Sequence, residues 1–241
     1  MALIIEEKCR GCRLCMPYCP VDAFKVVGRK KVAIDQEKCV ECYVCVRKKV
    51  CPYNAIETAD LEGTLRNFSH FLSDPTETKA ATGVPGRGTE ESKTNDVTGR
   101  IRIGQVGFTI DMGRPGVGVH MVDVEKVAMA VARAGLEFEE NTPLTDIMVD
   151  RRSGRIDPQY LPARLLSIII EGHCPLDRFP AIIQALREVE GKIDTVFSVG
   201  VISRVDAEGN SPVVAEIERC GLPRPIRGKV NVGLGRPIVT D

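Results

Sequence analysis

The sequence predicts an α+β protein in two unequal parts, a small cysteine-rich unit over residues 1–60 and a larger body of tandem β-α-β-β units over residues 101–241. Three observations carry this division. Eight of the ten cysteines fall between residues 9 and 51, in two runs of similar spacing. Residues 61–100 then lose apolar periodicity and fill with Thr, Ser, Gly, Glu and Lys, as in a polar linker or a functional loop. From Ile101 onward, alternating apolar runs and runs at helical spacing follow one another twice.

A chain of 241 residues suits two domains of different size. Apolar residues make up 43% while aromatics make up only 5% and Trp is absent, so the core is to be built from Val, Ile, Leu and Ala. No apolar run is long enough to cross a membrane. The opening Met-Ala-Leu-Ile-Ile-Glu-Glu-Lys has neither the basic start nor the apolar stretch of an export signal. A cytoplasmic protein without a membrane span is expected. Lys plus Arg and Asp plus Glu both count 33, which argues against nucleic acid as a partner.

Crowded cysteines mean disulfides or metal, and without an export signal the C-x2-C-x2-C spacing favours metal. The first run reads Cys9-x2-Cys12-x2-Cys15-x3-Cys19-Pro20, the second Cys39-x2-Cys42-x2-Cys45-x5-Cys51-Pro52. Two zinc knots would need only C-x2-C pairs and leave the third cysteine and the Cys-Pro of each run unexplained. Val21-Asp22-Ala23-Phe24 and Tyr53-Asn54-Ala55-Ile56 follow the two runs with the same Ala-apolar ending. The halves are therefore an internal repeat, each expected to end in a short helix and a strand.

On these motifs residues 3–60 resemble the two-cluster bacterial-type ferredoxins. The resemblance implies two 4Fe-4S clusters that pass single electrons, with one ligand exchanged between the runs. Cys9, Cys12, Cys15 and Cys51 would hold the first cluster, and Cys39, Cys42, Cys45 and Cys19 the second. Each oxidised cluster with its thiolates carries about −2, so the loaded protein would be acidic by about four charges.

The sequence departs from that family in the five residues before Cys51, Val46-Arg47-Lys48-Lys49-Val50. Three cations there either raise a cluster potential, because reduction adds charge to an anionic centre, or form a solvated turn. Residues 1–60 hold eleven Lys or Arg against eight Asp or Glu. Free carriers of this kind are usually acidic, so the charge points to a fixed relay in a larger enzyme or to an acidic redox partner.

In the crossing segment, Leu65, Phe68, Phe71 and Leu72 have the spacing of one short helix ending near Asp74-Pro75. Beyond it, glycine amides together with Arg87 and Lys93 could cradle an anion. In the body, residues 102–110 read as a strand, 124–134 as a helix, and 136–139 and 145–150 as strands. A second unit follows, with a strand at 165–171, a helix at 176–190, a strand at 195–205 and further strands near 213–217 and 230–232. The units would span residues 101–156 and 163–241, as a ferredoxin-like sandwich with helices on one face of a mainly antiparallel sheet.

Two strand ends share a text, Met112-Gly113-Arg114-Pro115-Gly116-Val117-Gly118 and Leu234-Gly235-Arg236-Pro237-Ile238. Amides at Gly113 and Gly116 just before a helix, with Arg114 and Arg236, are candidates for binding a carboxylate or phosphate. The plainer reading is a turn that ends a strand. The glycine order is not that of a dinucleotide motif. Cys174, expected where a strand meets a helix N-terminus, is a candidate nucleophile or ligand, against the plainer role of a small buried filler.

The phrases Gly86-Arg87-Gly88-Thr89-Glu90-Glu91, Gly113-Arg114-Pro115-Gly116-Val117-Gly118 and Asp123-Val124-Glu125-Lys126-Val127 resemble the 6-hydroxynicotinate reductases. These are longer reductases of anaerobes that move electrons onto an N-heteroaromatic acid. The resemblance implies a subunit or module of a low-potential reductase acting on a small anionic substrate. No flavin motif is visible, so a flavin would come from a partner chain, and a homo-oligomer is compatible with this. A redox-linked sensor of a small anion, or a maturation or sulfur-transfer factor using Cys174, are the other classes open to the sequence.

Overall fold

The computed structural model describes residues 1–28, 30–77, 99–114, 116–206 and 208–223. The candidates Arg87, Lys93 and Arg236, and the strand expected near 230–232, lie outside the described residues. In the N-terminal unit the elements are β1 (Ala2–Ile4), β2 (Phe24–Val27), β3 (Lys31–Ile34), α1 (Val44–Arg47) and β4 (Ile56–Thr58). β1 pairs antiparallel with β4, and β2 forms a hairpin with β3. A strand closes each half of the repeat, as expected. The helical turns come earlier, a 3-10 turn at Met16–Tyr18 between Cys15 and Cys19 and α1 around Cys45.

The crossing segment begins with α2 (Leu65–Ser73), close to the expected helix. Its apolar side faces the body, where Leu72 is buried in the main core and Phe68 lies 4.5 Å from the ring of Tyr160. Its polar side grips the second cysteine run. Arg66 pairs with Glu41, whose side chain is fully buried, and donates to the Gln36 carbonyl. His70 Nδ1 lies 2.7 Å from the Glu41 carbonyl, and its ring lies tilted against that of Tyr43 with centroids 4.2 Å apart. Asp74, at the helix end, pairs with Arg47. Residues 65–74 are thus a strap between the two units.

The body contains β5 (Gln105–Met112), β6 (Val119–His120), α3 (Met121–Ala134), β7 (Glu137–Phe138), β8 (Met148–Asp150), β9 (Arg155–Ile156), β10 (Arg164–Leu165), β11 (Ile168–Pro175), α4 (Phe179–Glu190), β12 (Phe197–Ile202) and α5 (Val213–Arg219). The main sheet has the order β12-β5-β11-β7, and every pairing in it is antiparallel. That order interleaves two β-α-β pieces into one β-α-β-β-α-β sandwich. The two units predicted in tandem are therefore halves of one sheet. β8 and β9 form a separate hairpin.

Three local expectations are corrected. Residues 213–217 form α5 and not a strand: Pro212 precedes it, Val213 and Ile217 share a face, and Glu216 pairs with Arg219 at 2.5 Å. Residues 145–147 form a 3-10 turn because the hydroxyls of Thr142 and Thr145 accept each other's backbone N–H, at 3.1 and 3.0 Å. β5 starts at Gln105 because Gly104 turns the chain with φ of 80° and the Gln105 amide bonds back to the Arg102 carbonyl.

Val106, Phe108, Ile110 and Met112 of β5 face the helices, with Val124, Val127 and Val131 of α3 and Phe179, Ile182 and Leu186 of α4 in the same core. The alternation in β5 is real, but both faces are covered. Thr109 and Asp111, on the other face, are 2% and 7% exposed, and Ile169 and Glu171 of β11 are buried beside them, as is Ser167 just before that strand.

Arg66→Ala would leave the Glu41 carboxylate buried without its cation and is expected to cost about 3 kcal/mol, the low end for breaking a buried pair. Glu41→Gln in the same chain is expected to recover part of that loss. Because Trp is absent, urea unfolding followed by circular dichroism is the suitable measurement.

Candidate functional site

Two cavities open in the N-terminal unit, each lined by four cysteines. Cys9, Cys12, Cys15 and Cys51 line one, together with Arg10, Arg13, Val32 and Tyr53. Cys19, Cys39, Cys42 and Cys45 line the other, together with Tyr18, Val21, Ile34 and Tyr43. Each cavity takes three cysteines from one run and the fourth from the other.

The backbone repeats as closely as the sequence. The residue before the second cysteine of each run has positive φ (Gly11 66°, Glu41 54°), as does the one after it (Arg13 65°, Tyr43 53°) and the third after the last cysteine (Asp22 50°, Asn54 50°). A side chain in that region costs roughly 1–2 kcal/mol, and such turns make concave nests of N–H groups that favour an anion. Two amides are aimed at sulfur: Ala23 N–H at Cys19 Sγ, 3.1 Å, and Ala55 N–H at Cys51 Sγ, 3.3 Å. This gives the Cys-Pro-x-x-Ala ending its physical reason. Both alanines are buried, so a larger side chain would press on the cavity walls.

Burial pushes the thiols of Cys39 and Cys45 up to about 12 and that of Cys15 up to about 11, and it raises Cys42 as well. Such thiols stay protonated at neutral pH unless a metal centre takes the place of the protons. Among the described residues, no group of three His, Cys, Asp or Glu side chains could hold a single metal ion. The cysteines surround a space instead of converging on a point. That donor set fits an iron–sulfur group better than a zinc ion.

The cations before Cys51 divide. Arg47 donates to the Cys42 carbonyl at 2.8 Å and pairs with Asp74, which is 4% exposed, so its charge is balanced and it serves as a strut. Lys48 and Lys49 are exposed.

The 113–118 turn is occupied differently from expectation. The Gly113 amide donates to the Val196 carbonyl at 2.8 Å, and those of Val117 and Gly118 donate to the Gly113 carbonyl at 3.3 and 3.1 Å. These amides are not free for an anion, and β6 separates the turn from α3. A Cβ on Gly116 would stand 3.0 Å from the Pro20 carbonyl oxygen, and one on Gly118 3.2 Å from Val21 Cγ1. The glycines thus let the body approach the segment after Cys19. Leu166, which nothing in the sequence singles out, packs into the cluster of Val21, Ala23, Val40 and Cys42, and its amide donates to Ser73 Oγ at 2.9 Å. Arg164 spans the same seam, donating to the carbonyls of Val117 (3.0 Å) and Glu37 (3.5 Å). Arg114 is exposed.

Cys174 lies inside β11 and not at a helix N-terminus, since a 3-10 turn at Leu176–Arg178 precedes α4. It is 0% exposed, and burial, with Asp177 and Glu137 adding, pushes its thiol up to about 12. That is the condition of a core filler.

Cys19→Ala and Cys51→Ala, one in each cavity, are each expected to remove roughly half of the iron bound by the full chain. Cys174→Ala is expected to leave the iron unchanged. Iron determination alongside visible absorption checks all three.

The 4Fe-4S dicluster domain family matches residues 8–55. A ferredoxin of Methanothermococcus thermolithotrophicus is 40% identical over 52 residues, 83% of that protein and 21% of this chain. Ferredoxin YfhL of Escherichia coli is 40% identical over 58 residues, 64% of that protein and 22% of this chain. One component of the ion-translocating oxidoreductase complex of Methanosarcina acetivorans is 43% identical over 54 residues, 19% of that protein and 22% of this chain. This chain therefore spans less than two thirds of the last two. No solved structure gives a significant match. Through its N-terminal unit, with its repeated cysteine runs and their Cys-Pro-x-x-Ala endings, the chain belongs to the 4Fe-4S dicluster ferredoxin family.

Proposed function

We propose that this chain is the electron-transfer module or subunit of a low-potential reductase, and that it holds two 4Fe-4S clusters, one in each four-cysteine cavity. The carrying observation is the seating of the second cavity against the body, where Leu166 packs beside Val21 and Cys42 and Gly116 lies against Pro20. Clusters bound there supply one-electron uptake and release. The chain's own residues do the rest. Eight cysteines hold the groups, the Ala23 and Ala55 amides support two of the sulfurs, and α2 fixes the second run through Glu41 and Arg47. Leu166, Gly116 and Gly118 stand against that side of the second cavity. A mobile carrier has no need to cover one of its two cavities with its own chain, whereas a fixed relay does.

A small anionic acid of the N-heteroaromatic class is favoured as substrate by the resemblance in residues 86–91, 113–118 and 123–127, and by exposed Arg114 next to the covered seam. A flavin or the substrate pocket would be supplied by a partner chain. The oxidoreductase-complex component among the relatives is consistent with a ferredoxin unit built into a larger assembly. The sulfur-transfer alternative has the buried, strand-embedded Cys174 against it.

Anaerobic redox titration of the loaded full chain tests this. It is expected to take up two electrons per chain with distinct midpoint potentials, because one cavity faces solvent and the other faces the body. Leu166→Lys is expected to raise only one of the two potentials by bringing a cation and water to an anionic centre. Uptake of a single electron, or an equal shift of both potentials, overturns the reading.

A further inference from the structure

We propose that the surface around Cys12 is the docking site of an acidic one-electron carrier protein, an inference that rests on the electron-transfer reading above. Cys12 is exposed, unlike the other three cysteines of its cavity. Arg10 and Arg13 flank it on the cavity lining; both are exposed, and among the described residues neither makes an ion pair. Lys30 stands beside them with an exposed side chain, its carbonyl pressed against the position a Cβ on Gly11 would take. Lys31 donates to the carbonyls of Glu6 and Cys9, the latter at 3.1 Å, so its charge sits at the base of the same loop.

Anions offset only part of this. Lys8 and Glu57 pair with each other at 2.7 Å, and Glu6 and Glu7 are exposed on the preceding turn, but among the described residues no acidic side chain lines the first cavity. Nor does any described cation line the second. Leu14 and Tyr53, 55% and 47% exposed, supply apolar area among the cations. An exposed ligand, apolar contact and a cationic rim form the kind of small surface that a transient redox complex uses, and the positive rim selects an acidic partner and orients it on approach. The other cavity cannot serve equally, because its Val21 and Cys42 side is covered by Leu166.

The test measures the dissociation constant of the loaded full chain with an acidic flavodoxin as probe, at low and at high salt, independently of electron transfer. Arg10→Glu/Arg13→Glu is expected to weaken binding about 10-fold or more at low salt, and the difference should shrink as salt screens it. Arg151→Glu/Arg152→Glu, the same charge change on the exposed turn after β8, is expected to change it less than about 2-fold. Iron content of every variant separates a failure of cluster binding from a failure of docking. If charge reversal costs iron, Arg10→Gln/Arg13→Gln replaces it and should weaken binding in the same direction. Equal weakening in the two double variants, or none in the first, overturns the proposal. So does self-association of the full chain that Arg10→Glu/Arg13→Glu abolishes, which would assign the surface to a second copy.

Discussion

The pairing of Arg66 with Glu41 is the constraint on which the rest of the architecture hangs. Glu41 sits between two cysteines of the second run with its side chain fully buried, and a carboxylate there is tolerable only if paired. It accepts from the Ala2 amide at 2.9 Å, which ties the β1-β4 pair to the run, and from Arg66, which fixes α2 above it. Once α2 is fixed, Leu72 enters the body core, Asp74 meets Arg47, and Ser73 meets the Leu166 amide. The equivalent position in the first run is Gly11, which presses against the Lys30 backbone and holds no strap. At this position the two halves of the repeat differ, and the strap is attached to the second run alone.

The longer spacing before Cys51 fits the same logic. Where the first run crosses from Cys15 to Cys19 in a 3-10 turn, the second needs two more residues, and these complete α1 and bring Lys49 into a left-handed turn. The added length places Arg47 within reach of both the Cys42 carbonyl and Asp74. Its charge is therefore used in joining the run to the strap. Two ion pairs, Arg66–Glu41 and Arg47–Asp74, lie beside the second cavity and are each internally neutral, so their long-range effect on a charge placed there is smaller than the count of cations in the sequence implies.

The parts legible in the sequence were those governed by spacing. Cysteine intervals gave the two runs and their shared ending, and the apolar spacing of Leu65, Phe68 and Leu72 gave α2. Helical spacing gave α3 and α4, and the alternation of strand and helix gave the ferredoxin-like sandwich. What stayed hidden depends on tertiary context. The 113–118 stretch resembles an anion nest in sequence because sequence cannot show that the Gly113 amide bonds to Val196, that the Gly118 amide bonds back to Gly113, or that Pro20 lies against Gly116. Cys174 looked like a helix-terminal thiol because a 3-10 turn was read as the first turn of α4. Residues 213–217 are expected as a strand but form α5, and the i, i+4 pair Val213 and Ile217 after Pro212 is the local signal for the helix. Leu166 carries no local signal, since a leucine becomes an interface residue only through what the fold brings to it.

The two faces of the body's main sheet differ in polarity. The helix-covered face is apolar throughout, as a stable sandwich requires. The opposite face buries Thr109, Asp111, Ser167 and Glu171 together with Ile169, and Arg100 pairs with Glu139 at 3.1 Å in the same body. Burying such groups gains little even when every hydrogen bond is made, and apolar residues of similar volume would serve stability as well or better. β11 connects the two aspects directly: it follows within two residues of Leu166, which touches the wall of the second cavity, and it then carries Ile169 and Glu171 across the polar face. The covered cavity and the polar face are thus joined through Leu166 and the strand that starts two residues after it.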